Sequence, residues 1–217
     1  MNPNECLSYW LIEELVAQGI TQFCISPGSR ATPLTVAAAR NHQANTQIFL
    51  DERAAAYFAI GWARAKDQAA VLICTSGTAG ANFYPAIIEA SVEHIPLLAI
   101  TADRPPELQL TGANQTVDQN QMFGSHTRWF YDPSCPDPTL QECTVKSWAA
   151  QAALRSAYPD PGQVHINLPF REPFLSEEHS NPPKVSSPNF QLGVPRQKLA
   201  KDDLQALRKI LKACLLY

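Results

Sequence analysis

The apolar run Pro96-Leu-Leu-Ala-Ile-Thr101 leads directly into the polar sequence Ala102-Asp-Arg-Pro-Pro-Glu-Leu108. The first part has the length and composition of a buried strand. The second part is a stiff loop, because each proline fixes φ and removes a backbone donor. A stiff loop can hold the guanidinium of Arg104 toward an anion, although a solvated arginine in a surface turn would have the same sequence. The stretch therefore predicts a strand with a candidate binding loop at its carboxyl end.

Short apolar runs alternate with amphipathic or alanine-rich segments along the whole chain, as is typical of βα units around a parallel sheet. The predicted strands are residues 21–25, 46–50, 69–75, 96–101, 128–132 and 163–168, and the predicted helices are residues 4–18, 32–42, 53–66, 79–92 and 140–158. Pro85 lies inside the fourth helical pattern, so we expect that helix to begin near it or to kink there. The predicted fold is an α/β domain with an open, mostly parallel sheet of about six strands and helices on both faces.

The composition predicts a globular protein and argues against two classes of partner. The 217 residues are 45% hydrophobic and 17% charged, and they carry a formal net charge of -3 without any run of lysine or arginine. Neither a nucleic acid nor an anionic membrane is therefore expected as the main partner. No apolar stretch is long enough to span a membrane, and the first residues lack the order of a signal peptide, so we expect a cytoplasmic location.

The six cysteines and five histidines are dispersed along the sequence. They form no Cys-x-x-Cys motif and no His-x-x-x-His pair. We therefore expect reduced thiols, and we expect no metal ion held by ligands of this chain alone.

Three further loops follow predicted strands, and in an open α/β sheet ligands bind at that edge. They are Ser26-Pro-Gly-Ser-Arg30, Asp51-Glu-Arg53 and Ser76-Gly-Thr-Ala-Gly-Ala-Asn82. In the first loop, the hydroxyl of Ser29 and the forked cation of Arg30 precede a helix and suit a carboxylate. The alternative is a simple strand-to-helix turn in which Ser29 or Thr32 caps the helix.

The glycines of the third loop would let a flat ring or a phosphate approach backbone donors. The loop lacks the Gly-Lys-Ser/Thr ending of a nucleotide P-loop. Close packing of a strand on a helix would explain the same small residues equally well.

Glu52 stands at the first turn of a predicted helix whose body, residues 54–63, is apolar nearly all round and is therefore expected to be buried. The helix dipole favours an ionised carboxylate there, whereas apolar surroundings favour the protonated form. Such a group is suited to exchange a proton with a ring nitrogen. The alternative is an ordinary acidic residue in a first helical turn.

Six motifs occur in the order found in one enzyme family. They are Ser26-Pro-Gly-Ser-Arg-Ala-Thr-Pro-Leu34, Asp51-Glu-Arg53, Thr75-Ser-Gly-Thr-Ala79, Thr101-Ala-Asp-Arg-Pro-Pro-Glu-Leu108, Gly112-Ala-Asn-Gln115, and Val164-His-Ile-Asn-Leu-Pro-Phe170 with Glu172-Pro173. Together they resemble the N-terminal part of the 2-succinyl-5-enolpyruvyl-6-hydroxy-3-cyclohexene-1-carboxylate synthases, the MenD family of thiamine-diphosphate enzymes in menaquinone and phylloquinone biosynthesis. The resemblance covers residues 4–174.

The resemblance implies the pyrimidine-binding domain of a thiamine-diphosphate-binding fold and a role for each motif. Glu52 would be the catalytic residue that bonds the aminopyrimidine ring nitrogen and promotes the imino tautomer. The cofactor would contact Pro27, Glu52, Thr75, Ser76, Gly77 and Thr78, and the substrates would contact Ser29, Arg30, Arg104, Asn114 and Gln115.

The family reaction decarboxylates 2-oxoglutarate and adds the resulting succinyl-semialdehyde carbanion to isochorismate. Its cofactors are thiamine diphosphate and Mg²⁺ or Mn²⁺, and the cofactor supplies the electron sink. The resemblance further implies a homodimer or homotetramer for the intact enzyme.

Family members hold the diphosphate and the metal ion through a separate domain with a Gly-Asp-Gly motif and a downstream asparagine, and Gly-Asp-Gly does not occur in these 217 residues. We therefore expect a fragment that is inactive by itself. Residues 1–175 are predicted to be the pyrimidine-binding domain, 176–198 a linker rich in proline and serine, and 199–217 the first helix of a truncated middle domain. Alternatively, this helix folds back onto the sheet domain or swaps into a neighbouring chain.

Three functions stay open on the sequence alone. The first is the MenD-type carboligase. The second is another thiamine-diphosphate decarboxylase or carboligase, which would share Glu52 and the fold but would not need Ser29-Arg30 together with Arg104 and Asn114-Gln115. The third is a non-catalytic pairing or anion-binding subunit that completes a site on a partner.

Overall fold

A computed structural model describes residues 1–176, 183, 189–191, 193 and 200–214. In chain order its helices and strands are α1 (Pro3–Ala17), β1 (Gln22–Ile25), α2 (Thr32–Arg40), β2 (Asn45–Ile48), α3 (Glu52–Lys66), β3 (Ala70–Cys74), α4 (Thr78–Ala81), α5 (Tyr84–Val92), β4 (Leu97–Asp103), β5 (Trp129–Tyr131), α6 (Glu142–Ala157), β6 (Gln163–Pro169) and α7 (Lys201–Cys214). Single 3₁₀ turns occur at Ser29–Ala31, Pro106–Leu108 and Gly124–His126.

The six strands form one sheet in the order β2-β1-β3-β4-β6-β5. Every pair of neighbouring strands is parallel. The carboxyl ends of all six strands therefore meet at one edge of the sheet, and the loops that leave these ends lie side by side. The prediction of an open, parallel α/β sheet of about six strands is confirmed.

Both faces of the sheet are covered by helices, as predicted. Side chains alternate across a strand, so Phe23 and Ile25 of β1 point to one face while Cys24 points to the other. The first face packs against α1, α2 and α6, and the second packs against α3, α4 and α5. Because both faces are buried, β1, β3, β4 and β6 are buried along their whole length.

Most predicted boundaries lie within one or two residues of the observed ones, and two of the differences have a clear physical reason. The fourth predicted helix consists of two helices, α4 and α5, and Pro85 lies in the first turn of α5, where a missing backbone N–H leaves no intrahelical bond unmade. Strand β2 ends at Ile48 rather than at residue 50, and it is an edge strand that is mostly exposed.

The expectation that α3 is buried all round is wrong. Its alanines pack on the sheet, but Tyr57 is 51% exposed and Phe58 is 37% exposed. Small side chains on one side of the helix allow close approach to the sheet, so the aromatic rings are left on the outer side. The buried residues of this helix are Ala55, Ala56, Ala59, Ile60 and Ala63.

The predicted linker, residues 176–198, falls almost entirely outside the described residues, so the division into domains stays a prediction. Helix α7 forms within the predicted segment, and its apolar residues Leu204, Leu207, Ile210 and Leu211 are between 40% and 59% exposed. Five cysteines among the described residues are free thiols. None of the helices described here has the length and apolar character needed to cross a membrane.

Candidate functional site

A cleft of about 600 Å³ opens at the carboxyl edge of the sheet. It brings together nine of the eleven predicted site residues, namely Pro27, Ser29, Arg30, Glu52, Thr75, Ser76, Thr78, Arg104 and Gln115. Gly77 lies in the same loop, between two lining residues. Asn114 does not line the cleft. This residue is exposed in a turn, where its backbone carbonyl accepts a hydrogen bond from the Thr116 hydroxyl at 3.2 Å.

Five further lining residues were not among the predicted site residues: Gly28, Ala79, Asn82, Glu172 and Phe174. Glu172 and Phe174 follow β6, which ends at the same edge of the sheet as β1, β3 and β4. The rule that ligands bind beyond the carboxyl ends of parallel strands would have found them, had it been applied to the last strand.

Glu52 is the first residue of α3, directly after the capping residue Asp51. The Asp51 side chain accepts a hydrogen bond from the backbone N–H of Arg53 at 2.8 Å, which fixes the start of the helix. The half-buried Glu52 stands near the end of β3, close enough for its charge to act on Cys74. Burial is the larger cause, and the charge of Glu52 the smaller cause, of a Cys74 thiol pKa well above its ordinary value. Glu52 is therefore a carboxyl group held by a helix start at the mouth of the cleft.

Arg30 is a buried cation with only 4% of its surface exposed. Its guanidinium donates to the carbonyl of Phe170 and, at 3.2 Å, to the Glu172 carboxylate, and it lies 4.9 Å from the centre of the Phe174 ring. Burial, followed by the positive charge of Arg104, lowers the pKa of Arg30. Two guanidinium groups thus lie close enough to repel each other, and an anion between them would relieve that repulsion.

Arg104 donates from its guanidinium to the hydroxyl of Ser76. Its backbone N–H donates to the Asp103 carboxylate at 2.6 Å, which fixes the loop but leaves the cationic head in the cleft. Within the described part of the chain, Arg104 forms no ion pair with a carboxylate. A carboxylate ligand would be its natural partner.

Small residues form one wall of the cleft, and two of them must be glycine. A Cβ at Gly28 would lie 2.4 Å from Thr75 Cβ. Gly77 has φ +88°, and a Cβ there would lie 3.2 Å from the carbonyl oxygen of Gln115. The lack of a side chain at these two positions, close to Thr75 and to the backbone of Gln115, would let a ligand approach the backbone of this wall. No group of three or more potential metal ligands occurs among the described residues.

Comparison with known proteins identifies a family and several relatives. Residues 7–122 match the family model "Thiamine pyrophosphate enzyme, N-terminal TPP binding domain". The chain is similar to a protein named 2-succinyl-5-enolpyruvyl-6-hydroxy-3-cyclohexene-1-carboxylate synthase from Chlorobium limicola, with 53% identity over 80% of this chain and 30% of the relative.

Proteins of the same name from two other organisms are similar to the chain. The one from Chlorobium chlorochromatii is 50% identical over 82% of this chain and 31% of the relative. The one from Haloquadratum walsbyi is 49% identical over 79% of this chain and 28% of the relative. The chain thus aligns with less than a third of the length of each of these three relatives.

Proposed function

Because the chain belongs to the thiamine pyrophosphate enzymes with this N-terminal binding domain, we propose that it forms the pyrimidine-binding and substrate-binding part of a 2-succinyl-5-enolpyruvyl-6-hydroxy-3-cyclohexene-1-carboxylate synthase. The enzyme would decarboxylate 2-oxoglutarate and add the remaining four-carbon unit to isochorismate. The observation that carries this proposal is the convergence of Arg30 and Arg104 with Glu52 in one cleft.

The two cations account for the substrate class. Both proposed substrates carry two carboxylates, whereas pyruvate, the donor of many related carboligases, carries one. Arg104 has no carboxylate partner within the described residues, and Arg30 shares its charge with Glu172, whose side chain is 71% exposed. Guanidinium groups bind carboxylates through paired N–H donors, so this cleft suits a dicarboxylate better than pyruvate.

Thiamine diphosphate supplies the acidic carbon and the electron sink of the reaction when it is bound. The residues that would hold its pyrimidine ring are Pro27, Thr75, Ser76, Gly77 and Thr78, with Glu52 bonded to a ring nitrogen. Glu52 would hold and return a proton at that nitrogen. The Mg²⁺ or Mn²⁺ ion and the diphosphate would be held by a separate domain that carries the Gly-Asp-Gly motif.

A second copy of the chain is proposed to cover the outer face of α3 and α5, giving a homodimer or homotetramer. These helices pack side by side and expose Tyr57, Phe58, Ile88 and Val92, the last with 69% of its surface exposed. Because α3 begins at Glu52, a partner on this face would border the cleft. We also propose a cytoplasmic location, which suits the free thiols.

The activity test compares donors in the intact protein with thiamine diphosphate, Mg²⁺ and isochorismate. We expect 2-oxoglutarate to be used at least about 100-fold better than pyruvate, because charge-assisted bonds are worth about 1.5–3 kcal/mol each. Arg104→Ala should lower kcat/KM for 2-oxoglutarate about 10- to 100-fold. Arg40→Ala, which removes an exposed arginine in the last turn of α2, is the matched control and should leave kcat/KM unchanged.

Glu52→Gln tests the proposed role of Glu52 in holding and returning a proton. We expect kcat to fall at least about 100-fold, with unchanged circular dichroism and thermal midpoint. Equal use of pyruvate would instead support another thiamine-diphosphate carboligase. Activity that survives Glu52→Gln would support a non-catalytic subunit.

The molar mass of the intact protein in solution, which reports its oligomeric state, tests the proposed interface. Val92→Glu should weaken the dimer at least about tenfold, because it places a charge in a desolvated apolar contact. Leu110→Glu changes a fully exposed leucine in the loop between β4 and β5 and should leave the mass unchanged. A monomeric parent protein would overturn the proposed interface.

A further inference from the structure

A buried polar network lies beneath the cleft, on the sheet face that packs against α3 and α5. The parallel register of β4 and β6 pairs Thr101 with Asn167, and Ala99 with His165. The Thr101 hydroxyl donates to Asn167 Oδ1 at 2.7 Å and lies 2.8 Å from His165 Nε2. No more than 1% of the surface of Thr101, His165, Asn167 or Gln119 is exposed. Four polar residues in an otherwise apolar core cost free energy unless each of them is well bonded.

Gln119 is the member of the network that bonds a loop of the cleft. Its Oε1 accepts a hydrogen bond from the backbone N–H of Gly77 at 2.8 Å. Its Nε2 donates to Asn167 Oδ1 at 2.8 Å and to the carbonyl of Ala102 at 3.2 Å. Both ends of the amide are therefore bonded to groups of fixed polarity, and the side chain can take only one orientation.

Asn167 continues the network to the loop on the other side of the cleft. Its Nδ2 donates to the carboxylates of Asp103 at 2.8 Å and Asp132 at 2.9 Å. Asp103 in turn accepts the backbone N–H of Arg104 at 2.6 Å. Gln119, Asn167 and Asp103 thus connect the backbone at Gly77 with the backbone at Arg104 through four successive hydrogen bonds.

Gly77 and Arg104 belong to the two loops to which the proposed function assigns different ligands. The loop of Ser76, Gly77 and Thr78 faces the proposed cofactor ring, and Arg104 faces the proposed carboxylate. Gln119 also lies four residues after Gln115, whose carbonyl oxygen would be 3.2 Å from a Cβ added at Gly77. One buried side chain therefore contacts or anchors each loop that must be placed correctly for the two ligands to meet.

We propose that Gln119 and Asn167 form a buried amide pair that acts as positioning residues for the cleft, an inference that rests on the proposed function. The pair sets the distance between the loop that faces the cofactor and the arginine that faces the substrate. Neither residue lines the cleft. Misplacement of bound groups by about 1 Å can cost about 100-fold in rate, so a residue of this kind affects turnover without chemical contact.

Gln119→Met removes every hydrogen bond of the amide and keeps its shape. The matched control is Gln163→Met, because Gln163 is equally buried at 1% exposure and also donates to a backbone carbonyl, that of Ile95 at 3.2 Å. Gln163 lies at the amino end of β6, four residues before Asn167, which corresponds to about 13 Å along a strand. A loss of activity that results only from removing a buried amide and its hydrogen bonds should therefore appear in both variants.

The first readout needs no ligand. We expect the Gly77 amide of Gln119→Met to exchange its hydrogen with solvent at least about tenfold faster than in the parent protein, because its acceptor is gone. Gln163→Met should leave this rate unchanged. Unchanged exchange at Gly77 in Gln119→Met would overturn the proposal.

The second readout uses the intact protein with its cofactors and 2-oxoglutarate. We expect Gln119→Met to lower kcat/KM about 10- to 100-fold and to weaken the binding of thiamine diphosphate measured by calorimetry. Gln163→Met should keep kcat/KM within about twofold of the parent protein. Equal kinetic losses in the two variants would show a merely structural role and overturn the proposal.

Gln119→Glu separates the acceptor from the donors. The carboxylate keeps the acceptor for Gly77 but turns an anionic oxygen toward Ala102 O and Asn167 Oδ1, while Asp103, Asp132, Arg104 and His165 face the same network. The protonated carboxyl group restores one donor, so the kcat/KM of this variant relative to the parent should rise at least about fivefold from pH 8.5 to pH 6. A ratio independent of pH would overturn the orientation assigned to the amide.

The two proposals fail in different ways. A parent protein that does not use 2-oxoglutarate would overturn the proposed function, and the hydrogen-exchange result would still decide whether Gln119 positions the Gly77 loop. A parent protein with the expected activity and a fully active Gln119→Met would overturn the positioning role alone.

Discussion

His165 makes the stability of this domain depend on pH, and His165→Phe should remove that contribution to the pH dependence. The ring is fully buried between Phe123, at 4.7 Å between ring centres, and Phe130, at 5.0 Å. Thr101 gives its hydroxyl proton to Asn167, so its oxygen accepts the proton of His165 Nε2. Nδ1 has no partner in the described structure, and a second proton there would be buried without an acceptor. Burial accordingly lowers the pKa of His165 from 6.5 to about 3.

The size of the effect follows from the two pKa values. Below pH 6.5 the imidazole takes up a proton in the unfolded chain, whereas in the folded chain it stays neutral until the pH approaches 3. Stability is therefore complete above pH 6.5 and falls as the pH is lowered toward 3. At pH 5, about 1.5 units below the unfolded pKa, the loss is about 2 kcal/mol at about 1.4 kcal/mol per unit.

Urea unfolding followed by tryptophan fluorescence at pH 7 and pH 5 measures this loss. With a slope of about 2 kcal/mol per molar urea, the wild-type midpoint should fall by about 1 M more than that of His165→Phe. Burial raises the pKa of Asp103 and Asp132 in both proteins and acts in the opposite direction, so the difference between the proteins is the quantity to compare. Between pH 7 and pH 8.5 the two proteins should respond in parallel. Equal losses in both proteins from pH 7 to pH 5 would refute the assignment of a neutral, buried His165.

Two further predictions concern positions where the structure separates similar residues. Gly28→Ala should lower the free energy of unfolding by about 1–3 kcal/mol, because its Cβ would overlap Thr75. Gly61→Ala, on α3 with open space around it, should raise the free energy of unfolding by about 0.5–1 kcal/mol. Equal changes in denaturation experiments would contradict this difference in packing. Lys146→Met should lower the free energy of unfolding by about 3–5 kcal/mol, because it removes the ammonium group that lies 2.9 Å from the buried Glu142 carboxylate; a loss below about 1 kcal/mol in urea unfolding would contradict this account.

The parts of this fold that follow from local patterns could be predicted from the sequence. The run from Pro96 to Thr101 is apolar enough to be a buried strand, and its neighbours repeat the pattern often enough to predict a parallel sheet. Parallel strands place their carboxyl ends at one edge, so Arg30, Glu52 and Arg104 were expected together although they are far apart in the sequence. The cleft follows from topology, and topology follows from the alternation of strands and helices.

Features that depend on the relative placement of elements could not be predicted. Tyr57 and Phe58 are as apolar as the alanines beside them, and only the packing of α3 on the sheet decides which side faces outward. Gln119 lies in a segment without periodicity, and Asn167 lies in a strand whose polar residue has no local explanation. Their connection depends on the register that pairs Thr101 with Asn167 and on a long loop that brings Gln119 to Gly77, after the end of β3.

The buried network resolves a conflict between stability and placement in this domain. An apolar residue at 119 or 167 would bury more hydrocarbon, but it would leave the N–H of Gly77 and the loop of Arg104 without a fixed partner. Hydrophobic contacts are non-directional, so they can hold the loops near each other without fixing an orientation. Amide hydrogen bonds are directional, and each of the two side chains uses both ends of its amide. A site in which a ring and a carboxylate must meet needs the directional contact, and this accounts for polar residues at the centre of an apolar core.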